Sequence, residues 1–296
     1  MNKELIFKGV GTALITPTNE NGIDYEHLEK LIDFQIENGI NSIIIAGTTG
    51  EGATLSDKEH KDLLVFSKEK IRNRVPMIAG VGSNDTSYAC SLTKFACEIG
   101  ADGLLAVTPY YNKATQYGLI QSYKEISKSS TKPIILYNVP SRTGVNIEPE
   151  TYLELSKCDN IVGIKEANGN LNKIMDTFNL VGDKLYIYSG NDDEIVPFLS
   201  MGGMGVISVL SNLLPKETVE MCDSFFEGDI QSSVALQLKY LPLIRSLFSE
   251  VNPIPIKSAM AKLSFCENYL RLPLTPMNKE KEAKMYKIMS DLGIIS

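Results

Sequence analysis

The chain has 296 residues, of which 43% are hydrophobic and 22% are charged, and its formal net charge is −7. This composition indicates a globular protein with a sizeable core, and the acidic balance without any basic run argues against binding to DNA or RNA. The apolar runs are too short to cross a membrane, no signal peptide is evident, and the five cysteines lack C-x-x-C spacing, so we expect a cytoplasmic protein with reduced thiols.

Short apolar runs rich in β-branched residues recur along the first two thirds of the chain. Amphipathic segments lie between them, such as residues 24–39 and residues 56–71, and the second begins with a capping box of Ser56 and Glu59. The apolar runs predict eight strands, at residues 9–15, 41–47, 75–82, 102–110, 133–139, 160–167, 184–190 and 205–210.

Strands that are hydrophobic on both faces and alternate with helices are typical of a parallel sheet, and eight such units favour a closed (β/α)8 barrel. A doubly wound open sheet is the alternative, but the G-x-G-x-x-G turn of its dinucleotide-binding members is absent. After residue 227 only helices are predicted, at 230–249, 255–268 and 279–293. We therefore predict an α/β protein with a catalytic (β/α)8 TIM barrel at residues 1–227 and a C-terminal helical region at residues 228–296.

A lysine ends one of the predicted strands, in the segment NIVGIKEANG at residues 160–169. A lysine at a strand end usually extends its ammonium into water. In a barrel, however, the C-terminal strand ends meet at one mouth, so Lys165 would enter a pocket where burial favours a neutral amine that attacks a carbonyl. Such imine chemistry needs no metal, and His27 and His60 have no neighbouring ligands, so we expect neither a metal nor a cofactor.

Other strand ends place polar groups at the same mouth. Tyr137, Tyr111 and Thr48 supply hydroxyls that could move protons on and off a substrate oxygen. The sequence GTTG at residues 47–50 offers backbone N–H groups suited to a carboxylate, and Arg142 offers a fork for a second carboxylate.

Two further patterns imitate functional motifs. An S-x-x-K sequence at residues 67–70 lies inside a predicted helix and lacks the companion motifs of the serine acylases. The acidic pair Asp192 and Asp193, and Glu250 near Asn252, could suggest metal or acid–base chemistry. Adjacent residues do not face the same way, so we interpret these segments as a helix start and a solvated loop.

The strand-end segments also match a known family in order and spacing, and the match extends over essentially the whole chain. The matching segments are GTTGEGATL, VTPYYN, LYNVPSRTG, GIKEANGN, YSGNDD, GVISV and VNPIPIK. In these segments the sequence closely resembles the dihydrodipicolinate synthase family of the N-acetylneuraminate lyase superfamily. The resemblance implies a (β/α)8 barrel with a C-terminal helical region, usually in a homotetramer of two tight dimers. It also implies condensation of pyruvate with L-aspartate 4-semialdehyde, the first committed step of lysine and diaminopimelate biosynthesis.

The resemblance implies catalytic roles for four residues. Lys165 corresponds to the lysine that forms a Schiff base with pyruvate, and Tyr137 to the phenol that handles protons beside it. Thr48 would connect Tyr137 to Tyr111. Tyr111 is expected to reach in from the neighbouring subunit of the tight dimer.

Substrate-binding roles follow from the same resemblance. Thr48 and Thr49 would hold the carboxylate of pyruvate, and Arg142 would hold the carboxylate of L-aspartate 4-semialdehyde. Gly190 and Ile207 correspond to residues that line the pocket.

Two alternatives stay open at this point. Sialic-acid and sugar-acid lyases of the superfamily keep the lysine and tyrosine but typically lack the arginine, so Arg142 favours the synthase over another pyruvate-dependent aldolase. A barrel that only binds a keto acid is a different class of protein, and the presence of Lys165 and Tyr137 argues against it.

The sequence departs from the lysine-inhibited members of the family at their inhibitor pocket. Four residues correspond to that pocket, namely Ala53, His60, Asn84 and Tyr110. Gly52 replaces a serine, Asp57 a histidine and Tyr88 a glutamate. Because that glutamate pairs with the inhibitor's ammonium group, the neutral Tyr88 predicts weak or absent inhibition by lysine.

Overall fold

The computed structural model describes residues 3–296 and contains a closed barrel of parallel strands. The strands follow one another round the barrel in chain order, and the last pairs with the first. The predicted (β/α)8 fold is confirmed, and every predicted run contains one barrel strand, shorter than the run because its ends bend into loops. The strands are β1 (Gly9–Ala13), β2 (Ser42–Ile45), β3 (Met77–Gly80), β4 (Gly103–Val107), β5 (Ile134–Asn138), β6 (Ile161–Glu166), β7 (Tyr186–Ser189) and β8 (Gly205–Ser208).

Each strand sends alternate side chains into the barrel and into the layer under the helices. On β2, Ile44 packs inside the barrel, whereas Ile43 and Ile45 pack in the outer layer. On β4, Leu105 lies inside and Leu104 outside. Because both faces are buried, the strands are continuous apolar runs in the sequence, which is the pattern that predicted them.

Aromatic side chains fill the lower end of the barrel, where the strands begin. Phe7 and Tyr188 stack with their ring centroids 4.4 Å apart, and the Tyr188 hydroxyl donates a hydrogen bond to the Phe7 carbonyl at 2.6 Å. Gly11 leaves room for this pair, since a Cβ there would lie 2.9 Å from the Phe7 ring. A cavity lies at the opposite end of the barrel, where the strands end.

Helices follow the strands and cover the barrel. The two helices predicted in detail are confirmed: Asp24 caps the first and accepts a hydrogen bond from the His27 N–H, and the capping box of Ser56 and Glu59 begins the second. Ser67 of the S-x-x-K sequence is buried inside that second helix. The helices are α1 (Tyr25–Glu37), α2 (Asp57–Ile71), α3 (Thr86–Glu98), α4 (Gln116–Lys128), α5 (Pro140–Thr143), α6 (Pro149–Leu155), α7 (Leu171–Val181), α8 (Ile195–Ser200) and α9 (Pro215–Phe226).

The C-terminal region is helical, as predicted, with α10 (Ile230–Leu247), α11 (Ile254–Lys262) and α12 (Lys279–Asp291). The helix predicted for residues 255–268 is too long. The chain leaves the helix after Lys262, and Ser264 adopts a left-handed backbone with a φ of 61°, which interrupts the helical hydrogen bonds.

One core joins the barrel and the C-terminal helices. Met221 of α9, Leu243 of α10 and Met260 of α11 belong to the same buried cluster. The Gln237 amide donates a hydrogen bond to the Asp192 carbonyl at 2.9 Å. The predicted boundary at residue 227, between a catalytic barrel and a C-terminal helical region, stays a prediction. No helix within residues 3–296 is long and apolar enough to cross a membrane.

Candidate active site

Two neighbouring strands bring a lysine and a tyrosine together at the barrel mouth. Lys165 on β6 is the register partner of Tyr137 on β5, so both side chains point into the barrel. The Lys165 Nζ lies 4.2 Å from the centre of the Tyr137 ring. The two residues are only 5% and 6% exposed, so Lys165 does not extend into water as a strand-end lysine usually does.

Gly190, which follows β7, lies directly against Lys165. A Cβ at position 190 would be 3.2 Å from the Lys165 Cε and 2.7 Å from the Ala167 Cβ, so any side chain there would press on the lysine. Ile207 on β8 is fully buried and belongs to the same inner cluster as Tyr137. Gly190 therefore lies against Lys165, and Ile207 lies on the inner surface of the barrel.

The loop after β2 carries the sequence GTTGE at residues 47–51 and forms a tight turn. Ala46 and Glu51, at its two ends, adopt left-handed backbones with φ values of 58° and 54°. A Cβ on Gly52 would lie only 2.3 Å from the Ala46 carbonyl oxygen. Because the atom it would meet belongs to the backbone, a side chain at position 52 would have to shift the backbone of this loop.

Asn252, in the segment before α11, joins two of the predicted binding residues. Its side-chain Nδ2 donates a hydrogen bond to the Thr49 hydroxyl at 3.0 Å, and its backbone carbonyl accepts one from the Arg142 guanidinium at 2.9 Å. Asn252 is 5% exposed, so the interpretation of its segment as a solvated loop is wrong for this residue, although the neighbouring Val251 is exposed. Thr49 lies 203 residues away in the sequence, so chain folding alone brings this segment to the barrel mouth.

A cavity of about 420 Å³ opens at the mouth. Thr48, Tyr137 and Arg142 line it, so the structure brings these three predicted residues to a shared space. Residues of the predicted inhibitor pocket line the same cavity, namely Gly52, Ala53, His60, Tyr88 and Tyr110.

Tyr111 is placed differently from the other predicted catalytic residues. It is 89% exposed and does not line the cavity of its own chain. Its backbone is left-handed with a φ of 74°, an uncommon conformation for a residue with a bulky side chain. Within one chain, therefore, the structure does not bring Tyr111 to Tyr137 and Thr48.

A buried carboxyl group that the sequence analysis did not identify lies behind Lys165. Glu166 faces outward from β6, where the Asn138 amide donates to its Oε1 at 2.9 Å and the Tyr152 hydroxyl donates to its Oε2 at 3.1 Å. Burial raises the pKa of the Glu166 carboxyl to about 7. The sequence does indicate such a group, because Glu166 directly follows Lys165 and successive side chains of a strand point to opposite faces of the sheet.

Asp192 also departs from the expectation of a solvated acidic pair. It begins a 3-10 turn, which confirms the predicted helix start, and Asp193 is exposed. The Asp192 carboxylate, however, is buried and accepts hydrogen bonds from the N–H groups of Val209 and Leu210 at 2.9 and 2.8 Å. Burial raises the pKa of this carboxyl. Its role is to join the loops that follow β7 and β8.

Within residues 3–296 no group of three or more His, Cys, Asp or Glu side chains could hold a metal ion. The His60 ring contacts the Gly80 carbonyl at 2.9 Å, and burial lowers the pKa of its imidazole. All five cysteines are free.

The fold and the site together define a class of enzyme. A closed (β/α)8 barrel carries a buried lysine beside a tyrosine at the C-terminal strand ends, next to a cavity lined by an arginine. A buried lysine at the C-terminal end of a barrel strand is a candidate nucleophile toward a carbonyl group, so the site fits the lyases built on this fold.

Similarity to known proteins identifies the family. The model of the dihydrodipicolinate synthetase family matches residues 6–292. A 4-hydroxy-tetrahydrodipicolinate synthase from Caldicellulosiruptor saccharolyticus is 52% identical over 290 residues, which are 98% of each chain. The chain belongs to the dihydrodipicolinate synthetase family.

Solved structures of relatives have the same fold. The dihydrodipicolinate synthase from Thermotoga maritima is 42% identical, with a TM-score of 0.96 over 98% of this chain and 100% of that one. The chloride-inhibited dihydrodipicolinate synthase from Acinetobacter baumannii, solved as a complex with pyruvate, is 40% identical, with a TM-score of 0.95 over the same shares.

Proposed function

We propose that this barrel condenses pyruvate with L-aspartate 4-semialdehyde to give 4-hydroxy-tetrahydrodipicolinate, with Lys165 as the residue that bonds to pyruvate. The condensation is the activity of the family and opens the route to diaminopimelate and lysine. The observation that carries the assignment of Lys165 is its burial at the end of β6, with its amine over the Tyr137 ring.

Imine formation is the first step. The neutral Lys165 amine attacks the keto carbon of pyruvate, and loss of water leaves a double bond between Nζ and that carbon. The departing oxygen must receive a proton. Tyr137, whose ring centre is 4.2 Å from Nζ, is the residue we assign to deliver it and to recover it later.

Carbon–carbon bond formation follows. The protonated imine draws electrons from the pyruvate methyl carbon, which loses a proton and becomes an enamine. That carbon attacks the aldehyde carbon of the second substrate, and the aldehyde oxygen takes up a proton to become the product hydroxyl. The substrate amine then attacks the imine carbon, which closes the ring and releases the Lys165 amine.

The two carboxylates are assigned to different parts of the mouth. The GTTG loop, with Thr48 and Thr49, is assigned to the pyruvate carboxylate, and Arg142 to the carboxylate of the aldehyde substrate. The side chain of Arg142 is exposed at the cavity wall and can approach an incoming anion. A sugar-acid substrate would offer hydroxyl groups at this place, so Arg142 supports the synthase over another pyruvate aldolase.

The proposal includes assembly as a homotetramer of two tight dimers, in which Tyr111 enters the site of the neighbouring subunit. Its 89% exposure in the single chain supports this role.

Borohydride trapping tests the function. The wild-type protein is mixed with pyruvate and sodium borohydride, and its mass is measured before and after digestion. We expect one reduced pyruvate adduct on the peptide that contains Lys165, none in Lys165→Ala, and normal labelling in Lys173→Ala, which removes a surface lysine. An unlabelled wild-type protein would overturn the imine route. A coupled assay with L-aspartate 4-semialdehyde and a downstream reductase then tests the complete condensation.

A further inference from the structure

A fully buried lysine outside the barrel lies behind the GTTGE loop. Lys257, on α11, is 0% exposed. Three oxygen atoms surround its ammonium group, and the two uncharged ones accept hydrogen bonds from it. Its Nζ lies 2.5 Å from the Glu51 carboxylate, 2.8 Å from the Thr18 hydroxyl and 2.9 Å from the Tyr269 carbonyl.

Glu51 is the last residue of the loop, and its carboxylate is as enclosed as Lys257. One oxygen contacts Lys257, and the other accepts a hydrogen bond from the Arg271 N–H at 3.2 Å. The Glu51 N–H donates to the Thr48 carbonyl at 3.1 Å, in a backbone that is left-handed at Glu51. Fixing the Glu51 carboxylate therefore fixes the turn that presents Thr48 to the cavity.

A buried ion pair is a poor way to gain stability. The cost of removing both charges from water often exceeds their attraction, and apolar side chains of similar volume stabilise a protein as well or better. What the pair provides is a defined position for the loop, since neither charge can move without losing its partner. The ion pair connects Glu51, in the loop after β2, with Lys257, in the region beyond residue 250.

Asn252 makes a second connection from the same region. Its amide holds the Thr49 hydroxyl, and its carbonyl holds the Arg142 guanidinium. The segment from Asn252 to Lys257 thus contacts the middle and the last residue of the GTTGE loop, and also Arg142.

We propose that Lys257 and Asn252 are positioning residues that hold the GTTGE loop in the geometry that binds the pyruvate carboxylate. The inference rests on the proposed function of Lys165. It assigns part of the active site to the C-terminal helical region, so that the barrel of residues 1–227 alone would lack a properly placed carboxylate site. Neither residue needs to touch substrate.

The test measures pyruvate capture separately from chemistry. In Lys257→Met, the pyruvate concentration that gives half-maximal borohydride trapping should rise about tenfold or more, because a small displacement of binding groups is costly. Trapping at saturating pyruvate should still reach completion at Lys165. Asn252→Ala should shift the same concentration in the same direction.

Lys68→Met is the matched control, because it removes another lysine from an ion pair with Asp102 far from the mouth. It should leave half-maximal trapping unchanged even if its unfolding temperature falls. If Lys257→Met does not fold, Asn252→Ala decides the question. An unchanged half-maximal concentration in the folded variants would overturn the proposal while leaving the function intact. Absence of trapping in the wild-type protein would instead overturn the function and this inference with it.

Discussion

At the scale of single residues, the pleat of two neighbouring strands separates reacting side chains from supporting ones. Tyr137 and Lys165 face the barrel interior as register partners. The next pair in register, Asn138 and Glu166, faces outward and is hydrogen-bonded at 2.9 Å. Glu166 is held further by Tyr152 of α6. The outward pair therefore links the two strands directly behind the proposed catalytic residues.

The role of Arg142 can be measured by removing its side chain. Arg142→Ala should raise the KM for L-aspartate 4-semialdehyde about tenfold to a hundredfold, the range expected for lost charge-assisted hydrogen bonds. Half-maximal trapping by pyruvate should change far less. Arg142→Lys keeps the positive charge but not the two parallel N–H donors of the guanidinium, so its KM for L-aspartate 4-semialdehyde should lie between those of the wild-type protein and Arg142→Ala. Equal damage to both substrates would show that the carboxylate assignment is wrong.

Glu166 should make stability depend on pH in a definite direction. Burial raises the pKa of its carboxyl from 4.5 to about 7, so between these values the folded protein binds a proton that the unfolded chain has released. This contribution is complete below pH 4.5 and is lost as the pH rises through about 7. The loss amounts to about 3 kcal/mol by the ordinary relation between pKa and free energy.

Urea unfolding at several pH values checks this expectation. The free energy of unfolding of the wild-type protein, minus that of Glu166→Gln, should fall between about pH 5 and about pH 8. Glu154→Gln is the control, because Lys124 and Lys157 lower the pKa of the Glu154 carboxyl to about 2 and it stays ionised in the folded protein over this range. A difference that rises or stays level would contradict the protonated state of Glu166.

At the scale of elements, the loop after β2 depends on close backbone packing. A Cβ on Gly52 would lie 2.3 Å from the Ala46 carbonyl oxygen, and one on Gly80 of β3 would lie 2.4 Å from the same atom. Three segments thus meet at a single carbonyl group. Since backbone atoms cannot move aside as a flexible side chain can, a methyl group would have to displace the loop.

Gly52→Ala should therefore lower the free energy of unfolding by about 1–3 kcal/mol, the usual cost of overpacking. It should also raise the pyruvate concentration for half-maximal trapping, because the displaced loop includes Thr48. Gly118→Ala in α4 is the control, since its Cβ would meet only ordinary contacts at 3.5 Å. Chemical denaturation and the trapping titration measure the two effects. If Gly52→Ala reaches half-maximal trapping at the same pyruvate concentration as the wild-type protein, the predicted effect of loop displacement on pyruvate binding is wrong.

At the scale of the whole molecule, mixing subunits tests whether Tyr111 acts across an interface. Lys165→Ala and Tyr111→Phe subunits should each be impaired, but a mixed dimer would contain one site with both wild-type residues if Tyr111 comes from the neighbour. Random mixing should then recover about a quarter of wild-type activity. If Tyr111 instead acts in the site of its own chain, the activity of the mixture should equal the average of the activities of the two variants.

Inhibition by lysine also belongs to the assembled molecule. Burial, with Asp57 beside it, raises the pKa of the Tyr88 phenol, so Tyr88 offers no charge to an ammonium group. The Asp57 carboxylate is paired with Lys61 at 2.8 Å. Millimolar lysine should leave turnover nearly unchanged, and Tyr88→Glu should introduce sensitivity. Strong inhibition of the wild-type enzyme would refute the expectation.

The sequence alone determined the barrel, the order of its strands and the position of Lys165 at a strand end, because these depend on local periodicity and on a rule about where barrel strands end. It also placed Tyr137 and Arg142 near that end. Helix α11 was predicted too long because the residue type of Ser264 does not indicate its left-handed backbone.

Only the tertiary structure decided which distant groups meet. Lys257 and Glu51, or Asn252 and Thr49, are separated by some two hundred residues, and no periodic pattern relates one to the other. Asn252 and Lys257 both lie in the segment VNPIPIK, but a matching segment does not state what it touches. A buried polar group is tolerated only where it has a hydrogen-bonding or charged partner. Partners that lie far apart in the sequence come together only when the chain folds, so no local pattern reveals them.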